Sequence, residues 1–206
     1  MFHYFLNALF IASLIQGRSA MVWEGPYNLR VIGDKDPSVD GYLSMCHSGA
    51  GQFSLCYWDN IDYLHTAAFT FYTVRADWET SPRQLVYWTW PEREPYCLDF
   101  FSPFGTNVKP TILDNRGSGI YFHITENKTL SLSGIWDDSH ANETNPGIHW
   151  DGDGVTKSNF HVCWQYIDQM ETYWFYSIAW VTTQPPHNPS CTPATVSLVP
   201  HSAPKE

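Results

Sequence analysis

The sequence has little charge, and basic residues are especially scarce. Only 16% of the 206 residues are charged, with 11 Lys and Arg against 21 Asp and Glu, and the formal net charge is −10. Nucleic acids and anionic membrane surfaces are bound through basic patches. We therefore predict neither a nucleic-acid partner nor a membrane partner for the mature chain.

Long apolar runs are also absent, and the one run that exists lies at the amino terminus. The stretch from Phe2 to Ile15 is mostly apolar, is too short to span a bilayer and is followed by small residues, as in a signal peptide. We predict a signal peptide over residues 1–19 with cleavage after Ser19, a single domain over 20–199 and a frayed polar tail over 200–206. The predicted location is extracellular or in the lumen of the secretory pathway.

Helical periodicity is missing from the rest of the chain, and strand patterns take its place. Short aromatic and β-branched segments are bounded by Gly, Pro, Asn and Asp, which predicts about ten strands. The candidate strands are Tyr27–Ile32, Gly41–His47, Phe53–Trp58, Ala68–Arg75, Gln84–Trp90, Cys97–Phe101, Gly119–Thr125, Thr129–Ile135, Phe160–Tyr166, Tyr173–Val181 and Ala194–Leu198. The predicted fold class is all-β: one antiparallel, jelly-roll-like β-sandwich, with a sheet closed on itself as the alternative.

No C-x-x-C motif occurs, which disfavours a zinc site or a thioredoxin-type centre. The chain has five cysteines, and disulfides are the expected state in an oxidising compartment. An odd number leaves at least one thiol without an intramolecular partner. From the residues alone, two bridges could be drawn in fifteen ways. Two sequons, at Asn127 and Asn142, agree with export and predict glycosylated surface loops.

Motifs for catalysis or metal binding are weak. Trp150 is followed by Asp151-Gly152-Asp153-Gly154, and this spacing of carboxylates and glycines occurs in calcium-binding loops. The third oxygen ligand and the final Glu of an EF-hand are missing. A calcium site at Asp151 and Asp153 is therefore a minor alternative to an ordinary Asp-Gly turn. We predict no cofactor, and no catalytic residue can be selected.

Aromatic residues are what the chain has in excess, at 17%. Tryptophans near loops or strand ends could stack on sugars or enclose an apolar ligand, although any of them could equally be core. The ligand-binding candidates are Trp78, Trp88, Trp90 and Trp150, together with His47 and His161. Phe160–Tyr166 and Tyr173–Val181 carry large apolar groups on both faces and predict a central hairpin. Either both faces of the hairpin are buried, or one face forms the floor of an aromatic-lined groove.

Two segments resemble a family of small secreted fungal proteins, a domain of unknown function. The first is Gly41 to Ala50 (GYLSMCHSGA) followed by Leu55-Cys56, and the second comprises Phe160 to Tyr166 (FHVCWQY) and Pro185 to Cys191 (PPHNPSC). The resemblance implies a secreted β-rich fold and supplies no reaction. It also implies bridges Cys46–Cys56 and Cys163–Cys191, which would leave Cys97 as the odd thiol, available for an intermolecular dimer.

Three functions remain open at this point. The first is a secreted protein that binds glycan or a small apolar molecule. The second is a cofactor-independent cyclase or isomerase that acts on a secondary metabolite in an aromatic pocket, with His and Asp as acid and base. The third is a structural cell-wall or spore-surface protein. We favour the first, because no nucleophile, acid/base pair or metal motif stands out.

Overall fold

The structure is a computed structural model that describes residues 21–49, 52–59, 62–77, 83–87, 95–100, 105–114, 121–132, 136–137, 149–150, 158–168 and 172–201. The predicted signal peptide lies outside these residues. The strands are β1 Met21–Gly33, β2 Asp40–Gly49, β3 Gln52–Trp58, β4 Phe71–Ala76, β5 Arg83–Tyr87, β6 Tyr96–Phe100, β7 Val108–Asp114, β8 Tyr121–Ile124, β9 Leu130–Ser131, β10 Trp136–Asp137, β11 His149–Trp150, β12 Phe160–Asp168, β13 Thr172–Val181 and β14 Thr192–Pro200. A short 3-10 turn, Ala67–Phe69, precedes β4.

The predicted all-β, antiparallel, disulfide-stapled fold is confirmed. Twelve strands form one hydrogen-bonded sheet, while β10 and β11 pair separately. The pairings run from β12 through β14, β1, β2, β3 and β13, and β13 pairs with β12 again. This circuit of pairings closes on itself, so the sheet folds back around one main core.

Strand β1 connects two parts of this sheet. Met21 to Glu24 and Tyr27 pair with β4, whereas the residues from Tyr27 onwards pair with β14 and those from Leu29 onwards pair with β2. A bulge between Glu24 and Tyr27 precedes this change of partners. Gly25 lies in the bulge with φ +131°, and a Cβ there would approach Phe71 O to 3.0 Å. Only glycine adopts this backbone conformation without strain, so Gly25 permits the bend.

Strand β7 was not among the predicted strands, because Pro110 interrupts its pattern. Residues 108–110 pair with β13, whereas residues 111–114 pair with β6. Pro110 is the last residue of the β13 ladder, where a missing N–H is tolerated. At the other end of the chain, β14 extends to Pro200, and His201 N donates to Pro26 O at 3.3 Å. Ordered structure thus reaches two residues into the segment predicted to be a tail.

The main core contains side chains from most strands. At one end, Phe160 packs edge-on against Trp180, with ring centroids 5.1 Å apart, and stacks on Phe122 at 6.5 Å. Val162 and Ile178 form the next row of the same hairpin and are also buried in this core. Aromatic pairs of this kind stabilise a β-sheet core because they bury a large apolar area and because edge-on and offset-stacked rings attract each other.

Both bridges implied by the family resemblance are present. Cys46–Cys56 crosslinks the neighbouring strands β2 and β3, with Cα atoms 5.8 Å apart. Cys163–Cys191 joins β12 to the residue before β14, with Cα atoms 4.1 Å apart. The second bridge continues the β12–β14 pairing, in which Val162 lies opposite Thr192.

Candidate functional site: an exposed aromatic ladder

Several sequence-predicted site residues lie outside the described residues. These are Trp78, Trp88, Trp90, Asp151, Asp153 and Asn142. Trp150 is in β11, where the backbone pairing places it opposite Trp136 and places His149 opposite Asp137. Within the segments that the structure does describe, no group of three or more His, Cys, Asp or Glu side chains could hold a metal ion.

The two candidate histidines occupy different environments and do not form a joint site. His47 is exposed near the end of β2 and meets the ring of Phe53 edge-on at 6.0 Å. His161 is buried on β12, opposite Ala179. One histidine therefore lies on the surface of the β2–β3 hairpin and the other is enclosed beneath a loop.

Both ring nitrogens of His161 have partners. Nδ1 lies 3.0 Å from Asn159 O, and Nε2 lies 3.2 Å from Gln184 Nε2. Because a carbonyl oxygen can only accept, Nδ1 carries the proton and Nε2 accepts from the Gln184 amide. Burial lowers the pKa of His161, while the Asn159 carbonyl and the charge of Asp34 act in the opposite direction. The neutral imidazole thus fastens the loop that contains Gln184 to β12.

The lowered pKa of His161 predicts that the protein loses stability in mild acid. Between the lowered folded pKa and the ordinary unfolded value of about 6.5, the unfolded chain binds more protons, so the free energy of unfolding falls as pH decreases. His201 adds to the effect in the same direction, because burial lowers its pKa as well. Urea unfolding at pH 7.5 and pH 5.0 should show a smaller difference in His161→Asn than in the wild type. An equal difference in both proteins would contradict the assignment.

The strongest surface feature is an aromatic ladder on the β12–β13 hairpin, made of Trp164, Tyr166, Trp174 and Tyr176. Trp164 lies directly opposite Tyr176, and Tyr166 lies opposite Trp174. Successive residues of a strand alternate between faces and cross-strand partners share a face, so all four side chains point the same way. Their exposed fractions are 40%, 45%, 55% and 51% in chain order.

The aromatic ladder continues the core-facing side of the hairpin. Phe160 and Trp180, then Val162 and Ile178, occupy the preceding rows on that side and are buried. The hairpin extends beyond the part of the core that covers its first two rows. Large aromatic groups on the next two rows are consequently left in contact with solvent.

The rings of the aromatic ladder contact one another. The centroids of Trp164 and Tyr176 are 4.9 Å apart, and those of Tyr166 and Trp174 are 4.6 Å apart. Trp164 and Trp174 lie diagonally across the hairpin at 6.1 Å, with planes only 17° apart. The tyrosine rings are inclined to their partner tryptophans by 59° and 41°. The two indoles thus form a nearly parallel pair flanked by tilted phenol rings.

The loop of residues 182–191, which we term the clasp loop, holds Trp164 in place. Trp164 N donates to Ser190 Oγ at 3.0 Å, and Trp164 O accepts from Asn188 Nδ2 at 2.9 Å. Ser190 Oγ donates to Asn188 Oδ1 at 2.7 Å, so the two side chains hold each other in position. The disulfide Cys163–Cys191 fixes the adjoining residue on both segments. Both backbone polar groups of Trp164 are thereby satisfied by the clasp loop.

These bonds also explain why the rings are so close. Because the N–H and C=O of Trp164 point towards the clasp loop, its pairing with Tyr176 belongs to the non-hydrogen-bonded type. Side chains of opposite strands approach more closely at such positions than at hydrogen-bonded ones. Tyr166 and Trp174, two residues further along each strand, repeat the arrangement.

The clasp loop is in turn anchored by a buried asparagine. Asn107 Nδ2 donates to Thr183 O at 2.9 Å and to Pro185 O at 2.7 Å, and its Oδ1 accepts from His187 N at 2.7 Å. Together with the contact between Gln184 and His161, these bonds fix the first half of the clasp loop. The site is therefore supported by bonds along the full length of that loop.

The environment of Cys97 disfavours a disulfide between chains. It is buried in β6 beside Val74 and carries no disulfide. Burial, followed by the charges of Asp114 and Asp99, raises the pKa of its thiol. A buried sulfur with a raised pKa lacks the accessibility and thiolate character that oxidation requires.

The spacing of aromatic residues along the chain could have identified the aromatic ladder, whereas the loop positions of the tryptophans could not. Trp164-x-Tyr166 and Trp174-x-Tyr176 repeat at a spacing of two in the two arms of one predicted hairpin. Period two places each pair on one face. Location near loops and strand ends favours Trp78, Trp88, Trp90 and Trp150 instead, because side chains at such positions are expected to be exposed.

Comparison of the chain with known protein families, curated proteins and solved structures found no match. Across the described segments, no helix has the length and apolar character needed to cross a membrane.

Proposed function

We propose that this protein is a secreted carbohydrate-binding protein that stacks neutral sugar rings on the aromatic ladder. The observation that carries the proposal is the set of four mutually contacting aromatic side chains, all 40–55% exposed on one face of a hairpin. Tryptophan and tyrosine rings present broad apolar faces with a polar edge, which suits the C–H-rich faces of sugar rings. An open ladder fits a glycan better than a small apolar molecule, which a site would enclose.

The rigidity of the aromatic ladder supports a binding role. Exposed tryptophans lose rotational freedom when they bind, and that loss weakens affinity unless the side chains are already fixed. Trp164 is held by the clasp loop through its backbone and by ring contacts with both Tyr176 and Trp174. The aromatic ladder is therefore preorganised.

Charge favours a neutral ligand. The chain carries a net charge of −10, and neither the four ladder residues nor residues 182–191 include Asp, Glu, Lys or Arg. Anionic polysaccharides would be repelled by the overall charge and would find no cation in these segments. Neutral glycans meet no such penalty.

The histidine environments give less support to a cyclase or isomerase. His161 engages both ring nitrogens in holding Asn159 and Gln184, and His47 lies on another hairpin. A general acid and base must reach one substrate together. His161 has no ring nitrogen left to exchange a proton with a substrate, so we favour binding over catalysis.

Export and glycosylation form part of the same proposal. We propose that residues 1–19 are removed as a signal peptide and that Asn127 and Asn142 are glycosylated. Asn127 is exposed at the tip of a turn in which Lys128 N donates to Thr125 O at 2.9 Å. Two disulfides agree with an oxidising compartment. Membership of the secreted fungal family remains a prediction from the sequence.

The proposal is tested by affinity electrophoresis of the mature protein through gels that contain neutral or anionic polysaccharides. We expect retardation by at least one neutral polysaccharide, little change with added salt and no retardation by an anionic one. Trp174→Ala should weaken the retardation by about tenfold, since one stacked aromatic contributes about 1.4 kcal/mol.

The matched control is Trp58→Ala. Trp58 is 49% exposed on β3 and lies outside the aromatic ladder. Its removal should leave retardation unchanged. The proposal would be overturned if no neutral polysaccharide retarded the protein. It would also be overturned if Trp58→Ala weakened the retardation as strongly as Trp174→Ala.

A further inference from the structure

We infer that the clasp loop makes the aromatic ladder sensitive to pH: a proton taken up by His187 loosens the hold of the clasp loop on Trp164 and weakens glycan binding in mild acid. This inference rests on the proposed function and adds to it a means of releasing the ligand. His187 is a positioning residue in this scheme, because it acts on the ligand only through its neighbour Asn188 and through Trp164.

His187 and Asn107 are joined by a reciprocal pair of hydrogen bonds. His187 N donates to Asn107 Oδ1 at 2.7 Å, and Asn107 N donates to His187 Nδ1 at 3.4 Å. A backbone N–H can only donate, so Nδ1 is the unprotonated nitrogen of a neutral imidazole. The second bond therefore exists only while His187 is neutral.

Asn107 cannot turn its N–H towards another acceptor. The residue is buried, its carbonyl accepts from Thr182 N at 2.9 Å, and the next residue, Val108, pairs with Val181 at the start of β7. A proton on Nδ1 of His187 would place two donors against each other, so the imidazole moves away and the Asn107 N–H loses its acceptor. Histidine is the side chain that changes its charge between pH 5 and 8, and His187 is exposed to solvent protons.

The residue after His187 holds Trp164 in place. Asn188 Nδ2 donates to Trp164 O at 2.9 Å, and Asn188 Oδ1 accepts from Ser190 N at 3.0 Å and from Ser190 Oγ at 2.7 Å. Ser190 Oγ in turn accepts from Trp164 N at 3.0 Å. When His187 moves, the adjoining backbone of Asn188 moves with it and the bonds to Trp164 loosen. The indole must then be ordered during binding, which lowers the affinity.

The other titratable groups near the clasp loop leave His187 as the sensor. The clasp loop includes no Asp, Glu, Lys or Arg, and the nearest charged residue on β7 is Lys109, which is buried. His161 contacts the clasp loop through Gln184, and Asp34 is the charge that acts on it. The exposed amide of Gln184 can turn its oxygen towards a protonated His161. Protonation of His161 therefore costs stability without releasing the clasp loop.

The test compares the mature protein at pH 7.5 and pH 5.0 with two measurements. Hydrogen exchange of the Trp164 amide, corrected for the intrinsic pH dependence of exchange, reports on the clasp loop without any ligand. Calorimetric titration with soluble hexasaccharides of glucose, mannose and N-acetylglucosamine reports on binding. On acidification, we expect the protection of the Trp164 amide and the affinity for the hexasaccharide that binds each to fall by about 3- to 10-fold, the range for ordering one side chain.

His187→Asn should abolish the pH dependence of both quantities. Oδ1 of the new side chain is attached to Cγ as Nδ1 of the imidazole is, and it accepts a hydrogen bond without titrating. The matched control is His65→Asn, which removes an exposed histidine outside the clasp loop and should retain the wild-type pH dependence. Near-ultraviolet circular dichroism at both pH values verifies that all three proteins are folded.

The outcomes separate this inference from the proposed function. Protection and affinity that do not change with pH in the wild type would overturn the inference. An unaltered pH dependence in His187→Asn, or its loss in His65→Asn, would overturn it as well, and carbohydrate binding would stand in each case. If no hexasaccharide and no neutral polysaccharide bound at either pH, the proposed function would be overturned, and the Trp164 amide alone would decide whether His187 controls the aromatic ladder.

Discussion

The double variant Trp164→Ala/Trp174→Ala is expected to lose affinity for its neutral glycan by at least 100-fold. It removes the two nearly parallel indoles, one from each row of the aromatic ladder. If each stacked ring contributes about 1.4 kcal/mol or more, two rings account for a factor of about 100 in the dissociation constant. Calorimetric titration measures the loss directly.

The same double variant should remain folded. Trp164 and Trp174 are 40% and 55% exposed, and the main core does not include them. Surface substitutions of this kind change the free energy of unfolding by about 0.5 kcal/mol each, with a further contribution from the lost ring contacts. A large loss of affinity with a small change in stability is what distinguishes a binding surface from a packing surface.

The single variants should not add up to the double. The two indoles contact each other, so removing one loosens the other, and coupled neighbours deviate from additivity. Trp164→Ala alone should therefore cost more than half of the total effect, because Trp164 contacts both Trp174 and Tyr176. If the double variant lost its affinity and was also unfolded, the aromatic ladder would have a structural role instead.

Strand identity was predictable because it is encoded locally, whereas the disulfide pairing was indicated only by the family resemblance. The segments around Cys46, Cys56 and Cys163 alternate or carry β-formers between turn residues, and strands formed at all three. Strand β7 escaped prediction because Pro110 argues against a strand unless the pairing partner changes at that residue. That change of partner depends on the fold of the whole sheet and produces no recognisable pattern in the residues around Pro110.

The exposure of the aromatic ladder could not be predicted from periodicity. Val162 and Trp164 are two residues apart on the same face of β12, yet the first is buried and the second is exposed. Alternation identifies which residues share a face, but it does not say how far the opposing layer extends. The sequence therefore left open whether both faces of the hairpin were buried. On the face of the aromatic ladder, the structure shows burial at Phe160 and Val162 and exposure from Trp164 onwards.

The clasp loop was beyond sequence prediction for a different reason. Asn107 holds residues 76 to 80 positions away, and Ser190 bonds to a backbone group 26 positions away. Polar residues in a Pro-rich segment predict a loop, and they do not predict its partners. Only the family resemblance, through Cys163–Cys191, indicated that this segment lies against β12.

Removing the disulfide that closes the clasp loop is expected to impair stability and binding together. In Cys163→Ala/Cys191→Ala, a loop of 28 residues is no longer closed, which costs about 3.6 kcal/mol on the loop-entropy estimate. Cys46→Ala/Cys56→Ala opens a loop of 10 residues and costs about 2.7 kcal/mol. The two variants are therefore matched in chemistry and similar in stability loss, and denaturant unfolding measures both.

Their effects on binding should differ, because only Cys163–Cys191 adjoins the aromatic ladder. Without it, Ser190 and Asn188 are tethered less tightly to Trp164, so the indole must be ordered during binding and the affinity falls, by about 3- to 10-fold for one side chain. Hydrogen exchange should rise in residues 182–191 of this variant and stay unchanged there in the Cys46/Cys56 variant. Equal affinity losses at a temperature where both variants are fully folded would show that the disulfide acts through global stability. A loss confined to the Cys163/Cys191 variant would establish that the clasp loop positions Trp164 for its ligand.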